Sequence, residues 1–242
     1  MKVFASDFDG TLFFEDHFKD EDAQAIKEFQ KNGNIFGLCT GRPLIGITAV
    51  SHGEVNYDFY IISSGALILD KDLNEIYKNC ISHDLTKQVY LDFKDDCNVL
   101  IQANRKLYSF KKTEDIRVDL CVLDDIDDLD GDIYGLSLQA KDNDKAKIIT
   151  DKINEKFTEL EAFQNRNFVD VCERGCSKGS GIQVLKEQLK IKDIAGMGDS
   201  FNDIPLLDAV DTSFTFCNSP EIVQQHADHI VNSIKEALDI YK

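Results

Sequence analysis

The chain has 242 residues, is 43% hydrophobic and 29% charged, and carries a formal net charge of −17. That length and composition suit a globular protein with a substantial core, and the negative charge argues against nucleic acid or an anionic membrane surface as a partner. No apolar run is long enough to cross a bilayer, and Asp7 interrupts the N-terminal run before a signal-peptide stretch can form, so a cytoplasmic location is expected. The seven cysteines are odd in number, scattered, and contain no CxxC. They read as free thiols rather than a disulfide framework or a zinc site.

In chain order, residues 2–6 read as a short buried strand. Ala23, Ile26 and Phe29 recur at helical spacing over residues 20–31, and Asn32-Gly33 ends that helix. Residues 35–39 form a second apolar run, closed by Thr40-Gly41-Arg42-Pro43, with Pro43 suited to the first turn of a helix. A third strand at 59–62 precedes Ser63-Ser64-Gly65, and a hairpin is expected around residues 70–74. The character then changes. From about residue 80 the order is helix (84–94), two strands (99–103, 107–110), an aspartate-rich loop (119–132), strand (133–139), helix (143–157) and two strands (160–163, 168–172). That order predicts a small α+β unit with an antiparallel sheet. After Arg174-Gly175 a helix at 178–189 and a strand at 193–197 restore the alternation of strands and helices, which continues to the C-terminus. Such alternation implies a parallel sheet with helices on both faces.

Ligands of open α/β sheets bind beyond the carboxyl ends of the strands. Three polar clusters fall at such places: Asp7 with Asp9, Thr40-Gly41-Arg42, and Gly198-Asp199 with Asn202-Asp203. A fourth, Ser177-Lys178-Gly179, opens a helix. Strand alternation puts Asp7 and Asp9 on one side of the backbone and Phe8 on the other. Two close carboxylates repel and need a cation, a shared proton, or both. Oxygen ligands suit Mg²⁺, which keeps several waters and often binds substrate phosphate. One carboxylate could then attack phosphorus while the other handles protons. Taken alone, Asp-x-Asp is as well explained by an Asx-type turn. The Thr40 loop offers a hydroxyl and backbone N–H groups to an anion, or simply caps a helix. Lys178 supplies a point charge that could neutralise a phosphoryl group. Asp199 could complete a hard-metal site with Asp7, and Asp203 could orient metal waters and Lys178 from behind.

Together these motifs resemble the haloacid dehalogenase superfamily, and within it the Cof-type phosphatases with a class IIB cap. The resemblance rests on Asp7-Phe8-Asp9-Gly10-Thr11-Leu12, on Thr40 in Cys39-Thr40-Gly41-Arg42, on Lys178 in Ser177-Lys178-Gly179, and on Gly198-Asp199-Ser200-Phe201-Asn202-Asp203. The order is the family's, and the insertion sits where the family places its cap. The resemblance implies an α/β fold with a Rossmann-like parallel-sheet core from residues 1–79 and 175–242, and an inserted α+β cap from 80–174. It implies that Asp7 is the nucleophile that forms an aspartyl-phosphate. Asp9 is the general acid and base, and lends its backbone carbonyl to Mg²⁺. Thr40 and Lys178 bind phosphoryl oxygens, with Gly41, Arg42 and Asn202 also on the substrate side. Asp199 is the second carboxylate ligand of the metal, and Asp203 supports the site.

The implied activity is Mg²⁺-dependent hydrolysis of a small phosphorylated metabolite, with sugar phosphates as the first class and flavin mononucleotide or pyridoxal phosphate next. A phosphomutase of the phosphomannomutase type shares the chemistry, and a non-catalytic phospholigand sensor shares the scaffold. Asp9 fits a phosphatase or mutase, because a leaving alkoxide wants a proton. Two departures from the family pattern, Ser64 in Ser64-Gly65-Ala66 and the absence of proline in Val171-Cys172-Glu173-Arg174-Gly175, bear on the substrate pocket and cap hinge. The acidic run from Asp124 to Asp132 lacks EF-hand spacing and reads as a solvated loop. The five histidines form no metal-ligand pattern, and Arg105-Lys106 reads as a solvated turn.

Overall fold

The computed structural model describes residues 1–112 and 118–242. Strand β1 (Val3–Ser6) is followed by the short pair β2 (Phe13–Phe14) and β3 (His17–Phe18), then α1 (Asp20–Lys31), β4 (Ile35–Cys39), α2 (Leu44–Thr48) and β5 (Phe59–Ile62). The hairpin β6 (Leu67–Asp70) and β7 (Glu75–Lys78) precedes α3 (His83–Phe93), β8 (Asn98–Ala103), β9 (Lys106–Ser109) and β10 (Leu120–Val122). Next come β11 (Ile133–Gln139), α4 (Asn143–Lys156), β12 (Leu160–Asn165) and β13 (Phe168–Glu173). The chain closes with α5 (Lys178–Leu189), β14 (Ile194–Met197), α6 (Ile204–Ala209), β15 (Thr212–Phe216), α7 (Glu221–Gln224), β16 (His229–Val231) and α8 (Ile234–Tyr241).

The larger sheet runs β16-β15-β14-β1-β4-β5-β6-β7. Its strands are parallel from β16 to β5, and the β6–β7 hairpin extends it antiparallel. The inner strands β14, β1, β4 and β5 are largely buried on both faces, so they read as continuous apolar runs. In β1, Phe4 joins the cluster under α1 and α8, while Val3 and Ala5 join the cluster under α5 and α6. The spacing of Ala23, Ile26 and Phe29 on α1 is met by Ile234, Ala237, Leu238 and Tyr241 on α8. The larger of these, Ile26, Phe29, Ile234 and Leu238, each contribute about 1.5–3 kcal/mol when fully buried. No helix among the described residues is long and apolar enough to cross a membrane.

The second sheet runs β10-β9-β8-β11-β13-β12 and has its own apolar cluster under α3 and α4. It is not wholly antiparallel as expected, because β10, inside the aspartate-rich segment, pairs parallel with β9. Leu120 and Cys121 give that segment enough apolar character to add an edge strand. The β2–β3 pair was also not anticipated. It packs Phe13 and Phe18 on Phe8, with ring centroids 5.1 and 6.0 Å away.

Ser64 and Gly65 follow β5 with positive φ values of 56° and 91°. A Cβ added at Gly65 would lie 2.1 Å from the Ser177 carbonyl oxygen, next to Lys178. Glycine is therefore required both for the conformation and for the close approach. Gly65→Ala is expected to destabilise the fold by about 1–3 kcal/mol, lowering Tm by roughly 2–12 °C in a chain of this size. A melt indistinguishable from wild type would show that the contact does not constrain the backbone.

Candidate active site

Strands β14, β1 and β4 run in register, with Ser6 beside both Met197 and Leu38. Asp7, Thr40 and Gly198 therefore leave the sheet at one edge. Strand β1 ends at Ser6, before the Asp-x-Asp pair. The two carboxylates take different partners. Asp7, only 4% exposed, accepts from Lys178 Nζ at 2.6 Å. The same ammonium donates to Asp203 Oδ1. Asp203 Oδ2 accepts the backbone N–H groups of Asp199 and Ser200 at 3.0 and 2.9 Å. Asp199 Oδ1 accepts from the Thr11 hydroxyl at 2.8 Å. Ser177 and Ser180 close a reciprocal cap on α5, which fixes the backbone of Lys178 at the first helical position. A cation there opposes the helix dipole, and the two carboxylates offset that.

Asp9 turns to the other side. Arg42 grips it as a fork, with Nε and Nη2 each 2.7 Å from a carboxylate oxygen, and donates Nη1 to the Gly46 carbonyl at 2.7 Å. The guanidinium also lies 5.1 Å from the centre of the Phe8 ring. Arg42, expected on the substrate side, is thus engaged with Asp9, the expected general acid and base. Thr40 is buried, and its hydroxyl oxygen accepts the Arg42 N–H at 3.2 Å. Asn202 sits in the turn before α6 and is largely buried. Gly41 is covered by the second sheet. Gln102 Nε2 donates to its carbonyl at 3.3 Å, and a Cβ at Gly41 would meet an oxygen of Asp170 at 2.4 Å.

Asp170 is a site residue that the sequence reading missed. It lies on β13 between Val169 and Val171, which face the apolar cluster, so strand alternation puts its carboxylate on the opposite face. A charged residue between two buried valines was the signal. Burial pushes Asp170 up to about 6, against the lowering effect of Ser137, Lys178 and Arg42.

Burial, then Asp203, Asp199 and Asp9, hold Asp7 well above the ordinary carboxylate range, although Lys178 opposes them. Burial and Asp203 push Asp199 up to about 6. Burial works against the charge on Lys178, but Asp203 and Asp7 outweigh it and raise its pKa. Oxygens of Asp7, Asp199 and Asp203 lie within 4.8 Å of one another. An all-oxygen set of crowded, reluctantly ionised carboxylates fits a hard divalent cation such as Mg²⁺. Both oxygens of Asp203 are already engaged by Lys178 and backbone N–H groups, whereas Asp7 Oδ2 and Asp199 Oδ2 carry no hydrogen bond among the described residues. Asp7 and Asp199 thus each keep an oxygen to offer a cation, whereas the oxygens of Asp203 are already engaged. The Asp9 carboxylate is not in this cluster.

Residues 4–238 match the family described as haloacid dehalogenase-like hydrolase, and the chain belongs to that family of enzymes. It is 25% identical to a 5-amino-6-(5-phospho-D-ribitylamino)uracil phosphatase of Bacillus subtilis over 96% of this chain and 90% of that protein. A haloacid dehalogenase-like hydrolase from B. subtilis superposes with a TM-score of 0.88 at 18% identity, covering 100% of this chain and 98% of the other. A subclass IIB sugar phosphatase superposes at 0.80 with 18% identity, covering 100% and 99% of the two chains.

Asp199 holds its proton more tightly in the fold, at about 6, than its ordinary value of 3.8. Its contribution to stability is complete below about pH 4 and is lost as pH rises through about 6. A divalent cation must displace that proton. Millimolar Mg²⁺ is therefore expected to raise Tm by about 2–4 °C at pH 7.5 and by less than about 1 °C at pH 5. Scanning fluorimetry checks this, and an equal shift at both pH values would remove Asp199 from the metal site.

Proposed function

We propose that the chain is a Mg²⁺-dependent phosphomonoester hydrolase of small phosphorylated metabolites, in which residues 80–174 act as a cap over a core of residues 1–79 and 175–242. The observation that carries this reading is the buried Lys178 ammonium between Asp7 and Asp203, with Asp199 beside them. Asp7 and Asp199, with the Asp9 carbonyl, would hold the metal. When bound, Mg²⁺ supplies the positive charge that offsets the crowded carboxylates and the phosphate dianion.

The chain's own residues divide the work. Lys178 and Thr40 hold phosphoryl oxygens, and Asn202 and the Gly41 loop border the substrate. Asp7 Oδ2 attacks phosphorus, the ester P–O bond breaks, and Asp9 gives its proton to the departing alkoxide oxygen. Asp9 then takes a proton from water as that water attacks the aspartyl-phosphate, which releases phosphate and restores the Asp7 carboxylate. Arg42 orients Asp9 through its fork. Sugar phosphates are the first substrate class, supported by the fold likeness to the sugar phosphatase. Flavin mononucleotide and pyridoxal phosphate follow, and the curated relative that acts on a phosphorylated ribityl compound supports the former. The unpaired state of all seven cysteines supports a cytoplasmic setting.

A screen of phosphorylated metabolites with Mg²⁺ tests the class. Asp7→Asn is expected to abolish turnover with an unchanged melt. Asp9→Asn is expected to lower the single-turnover rate of phosphoryl transfer to Asp7 by about 10²–10⁴ on alkyl phosphates, and by less on p-nitrophenyl phosphate, whose leaving group needs little help. Wild-type rates in Asp7→Asn would refute the nucleophile assignment, and equal losses on both ester types in that transfer step would refute the acid role of Asp9.

A further inference from the structure

A cavity of about 410 Å³ opens beside Asp9 and Arg42, between the core and the second sheet. Small-molecule sites occupy roughly 300–1,000 Å³. The site beside it is short of free positive charge. Lys178 is held between Asp7 and Asp203, and Asp199 stands beside them. The guanidinium of Arg42 is engaged by Asp9 and the Gly46 carbonyl. A phosphate dianion arriving there meets crowded carboxylates in a chain of net charge −17. One further guanidinium lines the cavity, that of Arg166.

Arg166 opens the two-residue turn between β12 and β13, whose closing pair is Asn165 and Phe168. The backbone of that turn is tied down. Gln164 Nε2 donates to the Arg166 carbonyl at 3.0 Å, and the Ala140 N–H donates to the Asn167 carbonyl at 2.9 Å. Asn167 Nδ2 returns a bond to the Ala140 carbonyl at 3.3 Å. The arginine side chain, by contrast, is exposed and has no hydrogen bond or ion pair among the described residues. Its φ is 54°, at a position where such turns ordinarily carry glycine, asparagine or aspartate. Backbone strain of this kind gathers where a side chain is needed for function.

The hairpin also ends beside the phosphoryl chemistry. Strand β12 packs against residues 201–203, the turn that carries Asn202 and Asp203. The charge of Arg166 reaches Asp199. Burial and then Asp203 raise that carboxyl, and Arg166 pulls it down together with Thr11 and Lys178.

We infer that Arg166 is a phosphate-binding residue, which reaches from the second sheet to the phosphoryl oxygens of a substrate lying at Asp7 and Asp199. This rests on the phosphatase reading and gives its phosphoryl group a partner outside the core. A guanidinium with no carboxylate of its own keeps its fork of N–H groups for an anion, and phosphate takes two of them in parallel. Lys178, shared by two carboxylates, does not by itself neutralise a dianion. Lys178 and Thr40 hold the group from the core, and Arg166 closes over it from the facing sheet.

The test is calorimetric titration of inorganic phosphate into the Mg²⁺-loaded full chain, with kcat/KM on p-nitrophenyl phosphate and on phosphoglycolate alongside. Arg166→Gly is expected to raise the phosphate Kd about tenfold, the lower end for a hydrogen bond to a charged group because the side chain is solvated. A similar loss in kcat/KM is expected on both esters. Tm is not expected to fall, because glycine relaxes the positive φ. Arg166→Lys, which keeps the charge and loses the fork, should recover part of the affinity. Arg166→Gln carries the same expectation for binding as the glycine variant and decides the matter if the latter does not fold. An unchanged Kd in these uncharged variants would overturn the inference. So would a loss confined to phosphoglycolate, which would put Arg166 on a second anion in the leaving group. A wild-type chain that neither binds phosphate nor cleaves either ester would sink the phosphatase reading itself, an outcome distinct from turnover that Arg166 does not affect.

Discussion

The site depends on one buried ammonium. Lys178 is 3% exposed and stands between Asp7, 171 positions away in the chain, and Asp203, 25 positions away. A buried cation left without its carboxylates would be strongly destabilising, so the triad ties the N-terminal strand, α5 and the turn before α6 into one geometry. Asp203 passes the constraint on, because its second oxygen fixes the backbone at Asp199 and Ser200. Behind Lys178, the Ser177 cap and the close approach of Gly65 hold the helix end in place. Three carboxylates around one ammonium leave an excess of negative charge, and that excess is what gives a hard cation a reason to bind.

The two aspartates of the first motif differ because Phe8 lies between them. Its ring is fully buried and packs on Phe13 and Phe18. The β2–β3 pair thus serves as a clamp that anchors the loop just beyond the sheet. Asp7 remains in the dry centre with Lys178. Asp9 is left about a third exposed, in a fork from Arg42 at the cavity mouth. Burial and partner thus make the two aspartates unequal, one held dry by an ammonium and one forked by a guanidinium and open to solvent.

The core was legible in the sequence because its signals are local. β1, β4, β5 and β14 are apolar runs ended by polar turns, and α1 shows its buried stripe at Ala23, Ile26 and Phe29. The clustering of Asp7, Lys178, Asp199 and Asp203 was legible only through motif order, since no spacing brings residue 178 to residue 7. The fork between Asp9 and Arg42 escaped because it depends on how the Thr40 loop turns, with the Thr40 oxygen accepting the Arg42 N–H. The parallel pairing of β10 escaped because three apolar residues in an acidic segment are too few to show a period of their own.

The two-residue period of the second sheet's strands gives its two faces different surroundings. Val99 and Ile101, Leu136 and Leu138, and Val169 and Val171 bind the sheet to α3 and α4. The alternate residues Leu100, Gln102, Ser137 and Asp170 turn to the core side, where they touch Gly41 or line the cavity. Exchanging residues on that second face leaves the apolar cluster intact, so the cavity wall can vary while packing on α3 and α4 holds the sheet.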